Sequence, residues 1–124
     1  MKDVINLNDS DTSISVFKDI VRKFVEKRNW TKYHTAKNLV QAINCEAGEL
    51  SHLLLFKEYS KEAIWNDEAL LTNLTDEIAD VFIYLISLIN SLNLDLSQIF
   101  AKKMEKNKEK YNLKEYNNGL YDKK

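Results

Sequence analysis

Glu46-Ala47-Gly48-Glu49 and Glu77-Ile78-Ala79-Asp80 set four acids inside two otherwise apolar stretches of the chain. Spacing of i,i+3 points both carboxylates of a pair off one side of a helix. At about 100° of rotation per residue, the first pair falls in the sector of Leu39, Ala42, Ile43, Leu50 and Leu53. The second falls among Leu74, Val81, Tyr84 and Leu88. A carboxylate on a core-facing stripe is costly unless its charge is compensated. Cations are scarce on both stripes, and two facing pairs repel each other. A bound divalent ion is the simplest compensation. An all-oxygen donor set favours Mg2+, Mn2+ or Ca2+ over zinc.

The rest of the composition agrees with helices. The chain has no proline and two glycines in 124 residues, so it lacks the turn chemistry of β-rich folds. The reading is an all-α, four-helix bundle-like domain over residues 1–111, followed by a charged tail over 112–124. Helices are expected at about 12–27, 36–57, 68–92 and 95–111. The stretch 58–67 reads as a loop or a loose helical turn. Thr35 and Asp95 are the N-caps, and Asp95-Leu96-Ser97-Gln98 has capping-box spacing. Ile99, Phe100 and Met104 form the expected buried side of the last helix.

Val81 to Ile86 is apolar on all sides. Such a helix is central in its bundle or covered by a partner, which favours a homodimer or homotetramer. Lys+Arg 18 against Asp+Glu 19 leaves no basic footprint for nucleic acid. The greasiest run is too short to span a bilayer. The single Cys45 and a polar start without a signal-peptide core suit a reducing cytoplasm.

An isolated ExxE is a common solvated face. Two acidic pairs on consecutive apolar helices offer up to eight oxygens, more than one octahedral Mg2+ needs. Mg2+ keeps several waters and shares its other positions with phosphate oxygens, which suits phosphoanhydride hydrolysis. A carboxylate left free at the rim can orient the attacking water as general base. A di-iron bundle needs Glu-x-x-His on two helices, and neither pair ends in histidine.

These residues resemble the MazG-like family of all-α nucleoside triphosphate pyrophosphohydrolases, whose signature is ExxE, a spacer, then ExxD. The likeness extends to Tyr33-His34-Thr35-Ala36-Lys37-Asn38-Leu39 upstream, and to Lys103, Asn107, Lys110 and Tyr111 downstream. It spans about Phe17 to Tyr111 and looks most like the dCTP-pyrophosphatase-like branch. Ala36 and Asn112 replace prolines common in the family, and Phe56 stands where that branch has a tryptophan.

The resemblance implies cleavage between the α and β phosphates of a (deoxy)nucleoside triphosphate, dCTP being the first expectation, in nucleotide-pool cleansing. It implies Glu46, Glu49, Glu77 and Asp80 as Mg2+ ligands and catalytic acids. It also implies His34, Asn38, Tyr84 and Asn107 around the nucleoside, Phe56 stacking on the base, and Lys103 or Lys110 near the phosphates. Two other readings stay open: a dimeric-type dUTPase of the same superfamily, and a non-enzymatic helical oligomeric module whose acids hold a structural cation. Trp30 and Trp65 read as hinge or interface packing.

Overall fold

The computed structural model describes residues 6–121, and among these every regular element is helical. In chain order they are α1 (Ile14–Lys27), a single 3-10 turn (Thr31–Tyr33), α2 (Ala36–Leu53), α3 (Lys61–Asn66), α4 (Glu68–Ser91) and α5 (Leu96–Lys110). The described residues fall into two compact units, divided between Asn93 and Leu94.

The starts of the helices are written in short polar side chains. Thr35 Oγ1 accepts from the Asn38 N–H, and Ser60 Oγ from that of Ala63. Asp67 Oδ1 accepts from Leu70 and Asp95 Oδ1 from Gln98. Each satisfies an N–H that the helix itself leaves open. Ser13 sits at the N-cap of α1 without such a bond. Two asparagines end helices by turning left-handed, Asn29 at φ 57° after α1 and Asn93 at φ 53° after α4. Asparagine tolerates that conformation better than most side chains.

In the first unit α4 runs against α2, with α1 and α3 on its flanks. Leu39 of α2 and Leu70, Leu74, Ile86 and Ile89 of α4 form the buried core. Phe17 and Phe82 meet edge to face at 5.3 Å and join α1 to α4. Asn90 Nδ2 donates to the Lys18 carbonyl, and Arg22 Nη2 donates back to Asn90 Oδ1. Ser91 Oγ donates to the His34 carbonyl, which ties the link before α2 to the end of α4.

In the first unit, two features differ from the sequence-based expectation. The stretch expected as a loop or a loose helical turn contains a defined short helix, α3, six residues behind a Ser60 cap. The second helix ends at Leu53, short of Lys57. Of Val81–Ile86, only Ile86 is fully buried in the single chain, while Ile83 and Leu85 are exposed.

The second unit consists of α5 and the residues after it. Tyr111 and Tyr116 pack edge to face at 5.2 Å, and Asn112 Oδ1 accepts from the Glu115 N–H. Ile99, Phe100 and Met104, expected on the buried side, are all exposed, Phe100 by 65%. One helix and a short tail offer no surface of their own on which to bury that stripe. No single helix among the described residues is long and apolar enough to cross a membrane.

Candidate active site

Helix α2 carries Glu46 and α4 carries Glu77 and Asp80, and the two helices bring these three carboxylates together. One oxygen from each lies within 4.8 Å of the others. Glu46 and Glu77 are half-buried. Their Oε2 atoms are sealed from solvent and have no hydrogen-bond partner. Such an atom forfeits its hydration without compensation.

The crowding shows in protonation. Glu46 is pushed up from an ordinary 4.5 to about 7. The chief cause is the adjacent Glu77 carboxyl, with which a neutral Glu46 shares its proton; burial and the charges of Glu49 and Asp80 push the same way. Glu49 is exposed and stands outside the trio. Residues three apart differ by about 60° around a helix, enough to leave one at the rim.

A cavity of about 460 Å³ opens beside the trio, with Glu46 and Asp80 in its wall. Phe24 and Trp30 contribute rings from the end of α1 and the turn after it, and Tyr84 contributes one from α4. His34 closes another side. The left-handed Asn29 reverses the chain, so the Trp30 N–H bonds back to the Val25 carbonyl at 3.1 Å. Phe24 and Trp30 then meet edge to face at 6.0 Å. The Arg28 guanidinium lies 3.6 Å from the Phe24 ring centre and 5.9 Å from that of Trp30. Arg28 also donates to the Phe24 carbonyl at 3.0 Å. A cation on both rings, anchored to the backbone, stiffens this wall.

The remaining expected residues are placed as follows. Asn38 lies outside the cavity lining and donates its side-chain N–H to the Tyr33 carbonyl at 2.9 Å. Phe56 follows α2 at φ 58° with its ring 99% exposed, in contact with almost nothing in its own chain. Lys103, Asn107 and Lys110 lie on α5 in the second unit. Their spacing of four and three keeps them on one helix face.

Sequence reasoning missed Phe24 and Trp30 as cavity walls, taking Trp30 as hinge or interface packing. A signal was present: Arg28-Asn29 marks a helix stop, and an aromatic stands on either side of it. Trp65, by contrast, is exposed on α3.

All the donors at the trio are carboxylate oxygens, and two of them are buried and unpartnered. The set fits a hard divalent cation.

Comparisons with known proteins identify the family. dCTP pyrophosphatase 1 of Mus musculus is 32% identical over 91 residues, 72% of this chain and 53% of that protein. The Homo sapiens protein of that name is 31% identical over the same shares. The chain thus spans about half the length of these curated relatives. Among solved structures, a pyrophosphatase from Archaeoglobus fulgidus DSM 4304 superposes with a TM-score of 0.73 at 34% identity, covering 86% of this chain and 99% of that one. Residues 41–119 match the profile of the MazG-like family. With that match over more than half its length, and with its acids converging from α2 and α4, the chain belongs to the MazG-like family.

Proposed function

We propose that this protein is a Mg2+-dependent nucleoside triphosphate pyrophosphohydrolase, cleaving a (d)NTP to the monophosphate and pyrophosphate. One observation carries the reading: a trio of converging, partly unsatisfied carboxylates at the edge of an aromatic-walled cavity. The names of the relatives, dCTP pyrophosphatase 1 and a pyrophosphatase, support the chemistry and make a deoxynucleotide such as dCTP the first candidate.

Glu46, Glu77 and Asp80 hold the ion, with Glu49 beside them. Mg2+ bound there supplies the positive charge that draws the phosphate chain to the acids and offsets its developing negative charge. Glu49, exposed at the rim, is the carboxylate left to orient the attacking water. Phe24, Trp30 and Tyr84 offer ring faces to the base, a contact that tolerates base identity. His34 lies along the nucleoside, as we propose also for Asn38 and Asn107. Lys103 and Lys110 are the cations assigned to the phosphates, and Phe56 is a further stacking ring.

The enzyme acts as a homodimer or homotetramer in the cytoplasm, cleansing the nucleotide pool. Exposed Val40, Ile78, Ile83 and Leu85 on α2 and α4 support assembly, because single chains seldom leave so much apolar surface open. Pyrophosphate release over a panel of NTPs and dNTPs, with and without Mg2+, tests the reading. The expected result is Mg2+-dependent pyrophosphate and monophosphate from several substrates, deoxynucleotides first. Orthophosphate as the product, or no turnover, overturns it.

A further inference from the structure

Behind the aromatic cavity lies a second chamber of about 320 Å³, which shares Val25, His34 and Ser87 with the first. Its character is different. Arg22 and Glu26 of α1 line it one helical turn apart, opposite Ser87 and Asn90 of α4. Arg22 is held in place, with Nη1 on Asp19 at 2.9 Å and Nη2 on Asn90 Oδ1 at 3.1 Å. Asn90 in turn is oriented by donating Nδ2 to the Lys18 carbonyl at 3.0 Å. The guanidinium has further N–H groups to offer. The Glu26 carbonyl accepts from the Asn29 N–H at 3.0 Å, but its carboxylate has no ion pair or hydrogen bond among the described residues, and so presents an open acceptor.

Distances along α4 say which part of a nucleotide arrives here. At 1.5 Å per residue, Ser87 stands about 10 Å beyond Asp80, and Asn90 about 15 Å. With the phosphates at the acids, the first span is roughly the reach from the α-phosphate to the far edge of the base. Resting on the nucleotide reading given above, we infer that this chamber selects the base: Glu26 accepts from an exocyclic amino group while Arg22 donates to the ring acceptors beside it. Cytosine satisfies both groups. Uracil and thymine set an oxygen against the Glu26 carboxylate, and a polar group left unpaired is the strongest means of rejecting a substrate.

The test compares kcat/KM for dCTP and dUTP in wild type, Glu26→Gln and Glu26→Lys, with Glu62→Gln on α3 as a control. Glu26→Gln should lower the dCTP-to-dUTP ratio about tenfold, the loss falling on dCTP. Glu26→Lys should invert the preference, because an ammonium donates to the 4-oxo group. The control should leave the ratio unchanged. An unchanged ratio in both Glu26 variants overturns the inference and leaves the pyrophosphohydrolase reading standing. If wild type hydrolyses neither nucleotide, the functional reading fails, and calorimetry with the α,β-methylene analogues of dCTP and dUTP decides the chamber separately. The same tenfold change in the ratio of Kd values sustains it, and no change overturns it.

Discussion

Two charged regions of the first unit stand side by side and are built on opposite terms. At the α1–α4 contact, Asp19, Arg22, Asn90 and the Lys18 carbonyl answer one another in a chain of hydrogen bonds. At the α2–α4 contact, Glu46, Glu77 and Asp80 crowd like charges together and leave two buried oxygens without partners. The first arrangement holds itself together as folded. The second is complete only with something positive added. Where a protein tolerates an electrostatic debt, a ligand site is the natural explanation.

The sharpest way to break this contrast is Glu77→Gln. Removing one acid should lower turnover at least about a hundredfold, since even groups behind metal ligands can matter that much. The metal-free fold should be unharmed or slightly more stable, because a repulsion has gone. Rates together with thermal melts check both halves, and normal turnover would remove the acids from the chemistry.

Next in size is the effect of the ion. Mg2+ at about 100 times its Kd should stabilise wild type by about 2.7 kcal/mol, a rise of several degrees in Tm. Glu77→Gln should lose most of that rise.

Smaller again is a pH effect in the metal-free protein. Folded Glu46 keeps its proton up to about 7, whereas the unfolded chain releases it near 4.5. Between those values the folded state binds more protons, so stability falls as pH rises through this window and levels off above it. Metal-free Tm should therefore be higher at pH 5 than at pH 8, with Mg2+ flattening the difference. A metal-free Tm that rises over this window would contradict the crowding at Glu46.

The smallest change is expected at the hydrogen-bonded network. The Arg22–Asp19 pair is 44% and 61% exposed at its two side chains, and such pairs contribute at most about 1 kcal/mol. Arg22→Ala should cost about that much in denaturant titrations and leave the Mg2+-induced rise in Tm intact.

How much of this was legible in the sequence follows from the range of the interactions involved. Thr35 and Asp95 could be read as caps because a cap acts within three residues. The acids could be read because apolar neighbours on both sides gave them away. α3 was legible only as a loop or a loose helical turn, because six residues are too few for a helical period to emerge. Trp30 escaped because its place depends on the left-handed turn at Asn29, a backbone choice that leaves no periodic trace. Asn38 could be seen near the helix start, yet not that its amide is taken by Tyr33. Nothing in the sequence singled out Glu26 and Arg22, since only the packing of α1 on α4 sets them across from Ser87 and Asn90.

Trp30 has one more consequence. The chain contains two tryptophans. One walls the cavity against Phe24 and the Arg28 guanidinium; the other, Trp65, is 65% exposed on α3. Replacing Trp65 with phenylalanine therefore leaves a single indole emitter, positioned at the cavity. Its colour and its quenching would then report occupancy directly, so filling of the site can be timed separately from bond cleavage without attaching a dye.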